Sequence, residues 1–373
     1  MADERFFSGS YREARQRFLE AAHAVGATIS SYSLGAAGAK ELAIDVAVAG
    51  EHDAPALVVS SGIHGIEGFC GSAIQLALLE RLKVAAPARG IRIVLIHSIN
   101  PYGFEALRRA NEDNVDLNRN FLADGKRYSG APAGYVALDT FLNPQTPPMR
   151  FEPFRLKALW KIRQIGLQPL LQAVAQGQYE YPRGIFFGGA AACASTRIIQ
   201  SQCDSWVAAA QAVVHIDLHT GLGKFGGCSL LLADAADTPG YRWCADAFGA
   251  DRVDAQGGAG STAYATSGDF GEWMQQHFRA KAYCYVCAEF GTYPVVRVLA
   301  ALRAENRAHH FSAPDSAAFQ RAKQELMACF CPSSLSWRRQ VVSTGLHITE
   351  RAISKLTSTA DPCTLRAETS RSS

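Results

Sequence analysis

The chain reads as an α/β protein with a largely parallel sheet covered on both faces, and three observations predict this. Short runs at residues 56–60, 91–96, 213–221 and 281–290 have the length and apolar character of buried strands. Helical periodicity lies between such runs, as at 70–83, and strands alternating with helices at these spacings imply parallel pairing. The chain is also long and apolar enough, at 373 residues and 48% hydrophobic, to bury a large core.

The first element is a helix over 11–25, with Phe18, Leu19, Ala22 and Val25 on one side and Ser8 or Ser10 as caps. Leu42, Ile44, Val46 and Val48 then alternate as in a strand, and 56–60 supplies its neighbour. Between that run and the helix at 70–83 lies Gly62-Ile63-His64-Gly65-Ile66-Glu67-Gly68, a strand-to-helix loop of the kind that carries chemistry in open α/β sheets. An imidazole and a carboxylate with two residues between them, flanked by glycines that permit a sharp turn, can reach one cation together. The pair alone also occurs by chance in many proteins.

After the strand at 91–96 comes a polar, Gly/Pro-punctuated region containing Asn100, Arg109, Asn111, Asp116, Asn118, Arg119 and Asn120. It carries too many functional side chains for a simple surface loop; the plainer reading is a turn and a solvated connector. Further on, His215, Asp217 and His219 share one face of a strand, and only His219 stands at the carboxyl end where a ligand is expected. Four residues of strand span about 13 Å, so His215 and His219 cannot hold one ion, and His215 reads as a satisfied core histidine. Cys284 and Cys287 point to opposite faces of the strand at 281–290 and read as packed thiols, like Cys329 and Cys331.

The balance of 37 basic and 34 acidic residues is too even to argue for a nucleic-acid or membrane surface, so small partners are expected. No run of about 18 apolar residues occurs, and the first residues lack a signal-peptide core, so the expected location is cytoplasmic. One domain is expected over 1–357, with an inserted segment around 128–183 and a flexible polar tail at 358–373.

Taken in order, His64-x-x-Glu67, Asn100-Pro101-x-Gly103, Arg109-x-Asn111, Asp116-x-Asn118-Arg119-Asn120, Asp217-x-His219, Tyr264 to Gly268, Trp273 and Glu289 form a set. The set resembles the zinc carboxypeptidases of the carboxypeptidase A type and the related succinylglutamate desuccinylases and aspartoacylases. The flanks look like a bacterial carboxypeptidase-like branch known mainly as a domain of unknown function. The resemblance implies a three-layer α/β/α fold with a mixed, mainly parallel twisted sheet. It implies one Zn2+ on His64, Glu67 and His219, with Asp116 fixing the first histidine from behind. Glu289 would be the general base and Arg109 the oxyanion donor, while Asn118 and Arg119 would grip a substrate carboxylate and Tyr264 would cap the substrate. For Tyr264 a core or rim aromatic is the alternative, and Phe270, beside the specificity position near Gly271, departs from the digestive enzymes. The expected activity is hydrolysis of an amide next to a free carboxylate, in a short peptide or an N-acyl amino acid. A zinc esterase, or a binding module without turnover, is the alternative.

Overall fold

The computed structural model describes residues 3–37, 40–84, 90–236, 238–255 and 266–358. One sheet contains β1 (Thr28–Ala37), β2 (Lys40–Gly50), β3 (Ala56–Ser61), β4 (Arg92–His97), β5 (Ala212–Gly221), β6 (Cys228–Leu232), β7 (Val253–Ala255) and β8 (Ala282–Gly291). Among the described residues the strand order is β1-β2-β4-β3-β5-β8-β6-β7. The central strands β4, β3, β5 and β8 run parallel, and antiparallel pairings join β1 to β2, β2 to β4 and β8 to β6. The sheet is therefore mixed with a parallel centre.

β3, β4 and β5 are buried along their whole length because helices cover both faces, which is why their sequences run apolar without alternation. One face carries the helices Tyr11–Ala24, Gly68–Val84, Pro239–Phe248 and Leu335–Ser358; the other carries Ala194–Val207 and Phe270–His277. Gly68–Val84 starts two residues before the periodicity suggests, since the tight turn Gly65–Glu67 runs straight into it. Its buried Gln75 donates to the carbonyls of Val59 and Ile96, so that even its polar side chain fastens it to β3 and β4. Ser10 caps Tyr11–Ala24 by accepting from the Glu13 amide, whereas Ser8 instead accepts from Arg17. Cys284 is fully buried on the face opposite Cys287 and lies beside the Cys244 sulfur.

The segment at 128–183 forms the helices Ala133–Leu142, Phe154–Ile165 and Leu167–Ala175. They share an apolar cluster of their own, including Tyr135, Leu138, Phe154 and Val174, closed by Leu299 of the helix Val295–Phe311. Leu335–Ser358 buries Trp337, whose indole donates to the Gly291 carbonyl at the end of β8. Residues 359–373 of the expected tail lie outside the described residues, as does Tyr264. No described helix is long and apolar enough to cross a membrane.

Candidate active site

The parallel register builds the site. In β5 and β8 His219 stands directly beside Glu289, and in β3 and β5 Ser60 stands beside Asp217. Odd-numbered side chains of β5 and β8 share one face, so the row His215, Asp217, His219 meets Tyr285, Cys287, Glu289 rung by rung. β3 ends one residue before the tight Gly62 turn, which brings His64 and Glu67 up against the end of β5. Gly65 is required there by close approach: a Cβ would lie 2.1 Å from the Gly103 carbonyl carbon, where the loop meets the helix Pro101–Glu105.

Donor atoms of His64, Glu67 and His219 lie within 4.8 Å of one another, and all three side chains are buried. Both histidines turn Nδ1 toward the same carboxylate: His64 Nδ1 is 2.9 Å from Glu67 Oε1 and His219 Nδ1 is 3.4 Å from Oε2. Behind each ring sits an aspartate. His219 Nε2 is 2.6 Å from Asp217 Oδ2; His64 Nε2 is 3.3 Å from Asp116 Oδ1, close but not aligned as a hydrogen bond. The Thr220 amide donates to Glu67 Oε2. A carboxylate at each Nε2 favours the tautomer that leaves Nδ1 free to coordinate.

Asp217 is held in turn by Tyr285, which donates at 2.8 Å, and by Ser60, which donates at 2.5 Å. His215 touches the Ser60 hydroxyl through Nε2 and the Tyr283 hydroxyl through Nδ1, so it is a satisfied core histidine. Burial keeps His215 neutral, pushing its pKa down to about 4.

Burial opposes charge on Glu67 and Asp116, but the histidines outweigh it for Glu67, and Arg109 and His64 outweigh it for Asp116; both stay below the ordinary carboxylate range. Burial likewise opposes charge on His219, and Cys287 and Asp217 outweigh it, pushing that pKa up. Glu289 is pushed the other way, up to about 7, by burial and then by the neighbouring Glu67. One of its oxygens accepts from the Leu222 amide at 2.8 Å, which fixes its aim. Cys287 is only half-buried and joins His219 and Glu289 in a cluster within 4.8 Å, so this thiol faces the site rather than the core.

Arg109 donates through Nε to Asp116 at 2.8 Å, lies 3.5 Å from Glu67 and sits over the Phe186 ring. Arg119 is 5% exposed and donates to the carbonyls of Ala175 and Asn118. Two of its donors are thus committed to backbone. Gly268 permits that seat, since a Cβ there would come 2.3 Å from the Arg119 carbonyl oxygen. The Asn118 side-chain oxygen accepts from the Phe270 amide. Phe270 is fully buried, and Gly271 is needed because a Cβ would run into the Tyr285 ring.

These groups line one cavity of about 220 Å³ with His64, Glu67, Arg109, Asn118, Arg119, His219 and Glu289 on its polar side. Val174 and Ala175 of the helix Leu167–Ala175 line it too, so the segment at 128–183 forms part of its wall. Asp217 is the supporting residue that sequence reasoning passed over as a role. Its period-two alignment with His219 was the available signal.

No curated protein matches the sequence. Among solved structures, carboxypeptidase A from Helicoverpa armigera is similar at 13% identity, with a TM-score of 0.47 over 86% of this chain and 74% of that one. An aspartoacylase family protein from Mesorhizobium loti is similar at 16% identity, with a TM-score of 0.38 over 78% and 68%. Succinylglutamate desuccinylase from Chromobacterium violaceum is similar at 13% identity, with a TM-score of 0.38 over 85% and 74%. The model of the family described as "Protein of unknown function (DUF2817)" matches residues 7–344, and the chain belongs to this family.

Proposed function

We propose that this protein is a zinc-dependent hydrolase that cleaves an amide bond next to a free carboxylate. The observation that carries the proposal is the convergence of two Nδ1 atoms on one buried carboxylate, each ring backed by an aspartate, with Glu289 beside them. The charge in the pocket fits a divalent cation. Glu67 and Glu289 are both buried against the same His219, Arg109 is already engaged by Asp116, and the repulsion from Glu67 helps push the Glu289 pKa up. Buried charge of that kind is costly without a counter-ion. Two imidazoles and a carboxylate suit zinc and leave a coordination place open.

Zinc held there would act as a Lewis acid on a water molecule and on the scissile carbonyl. Glu289, its pKa pushed up to about 7, can take a proton from the attacking water and return it to the leaving nitrogen. Arg109, steadied by Asp116, presents its remaining N–H groups toward charge developing on the carbonyl oxygen. Arg119 and Asn118 line the cavity where a substrate carboxylate would lie.

The test combines metal analysis with a screen of dipeptides and N-acyl amino acids, on the wild type and on Glu289→Gln. The expected result is about one zinc per chain in both proteins, with turnover at least about a hundredfold lower in the variant. Wild-type activity unchanged by Glu289→Gln, or a zinc content unaffected by His219→Ala, would overturn the reading.

A further inference from the structure

The inserted segment carries a surface that nothing in the hydrolase uses. The helix Phe154–Ile165 buries Phe154 and Ala158 in the local core and turns Leu156, Leu159 and Trp160 outward. Those three are 69%, 57% and 58% exposed, and Met149 and Phe151 just before them are 65% and 86% exposed. With Ile165 and Leu167, residues 149–167 hold seven of the eleven large exposed apolar side chains among the described residues. A concentration of that kind marks an interaction surface.

The charges there are one-sided. Arg150, Lys157, Lys161 and Arg163 surround the apolar side chains, and none has an acidic partner among the described residues. Arg150 lies over the Phe151 ring and Lys161 over the Trp160 ring. Glu152, the one acid of the stretch, turns inward to Arg303 and Arg307. The near-even charge of the whole chain hides this local excess.

The geometry points to an anionic lipid surface as the partner of residues 149–167. Leucines and a tryptophan on the outer side of a helix, flanked by lysines and arginines, suit the boundary between headgroups and acyl chains. The basic side chains can reach phosphates while their stems stay apolar. A second copy of the chain fits poorly: a two-fold interface would set this basic patch against itself. The small, neutral partners expected from overall composition do not account for it.

The experiment is sedimentation of the full-length protein with phosphatidylcholine vesicles and with vesicles containing phosphatidylglycerol. The proposal expects binding only to the anionic vesicles, weakened by 0.5 M salt, where the screening length falls to roughly 4 Å. Lys157→Glu with Lys161→Glu should reduce binding at least about tenfold, since each basic group near the surface is worth about fivefold. Leu156→Ser with Trp160→Ser should abolish it with the circular dichroism spectrum intact, because these side chains are already exposed. Absence of binding to anionic vesicles overturns the proposal, as does binding that both double variants retain. A concentration-dependent dimer dissolved by the Leu156→Ser, Trp160→Ser variant would assign the surface to a second copy and overturn it as well.

Discussion

In the proposed mechanism Glu289 and Asp217 do different work, on neighbouring rungs of the same face of the sheet. As a base Glu289 must be deprotonated, so activity should rise with pH through its pKa, which burial and Glu67 set at about 7 in the metal-free site. A cation shared with Glu67 removes much of that repulsion and favours the ionised form. The acid limb of kcat/KM in the zinc-loaded protein should therefore fall below pH 7, and Glu289→Gln should erase it; a pH–rate profile with an unmoved limb would assign it to another group. Asp217 touches no substrate in this reading and acts through His219. Asp217→Asn should weaken zinc affinity by about 10–100-fold, read by competition with a chelator, while the variant saturated with zinc keeps most of its turnover. His64 and Glu67 were legible as a pair because their loop is local. The partnership of His219 with Glu289 was legible only through the family resemblance, because it depends on the register between β5 and β8, which lie seventy residues apart in the chain.

The polar connector after β4 is an element held from outside itself. Arg108 is 1% exposed and donates to Glu305 at 2.9 Å and to Asn114 at 2.8 Å, and Lys323 reaches the same Glu305 oxygen and the carbonyls of Ala106 and Leu107. The helices Val295–Phe311 and Ala317–Phe330 thereby clamp the loop one residue before Arg109. Glu305→Gln would leave two buried cations without their carboxylate and should cost about 3–5 kcal/mol of stability, seen as a lower denaturation midpoint. A change under about 1 kcal/mol would mean that the clamp is not rigid. Apolar runs marked the strands at 56–60, 91–96 and 281–290, but a buried ion pair 197 residues apart leaves no local trace.

For the whole molecule, the proposed function ties stability to a metal held by the buried His64, Glu67 and His219. Chelation should lower the melting temperature by several degrees, since a ligand at a thousandfold over its Kd contributes about 4 kcal/mol. Calorimetry with and without added zinc checks this, and equal melting temperatures would show that the pocket takes no ion. The clamp has one more consequence. A chain stopping before Val295 would keep His64, Glu67, Asp116, His219 and Glu289, yet lose Glu305, Lys323, the Phe330 carbonyl that receives the Thr220 hydroxyl, and Trp337 under the end of β8. Every recognisable signature would survive in such a fragment, and the fragment should neither fold stably nor retain zinc: the parts that name the chemistry and the parts that hold it in place are written at different ends of the polypeptide.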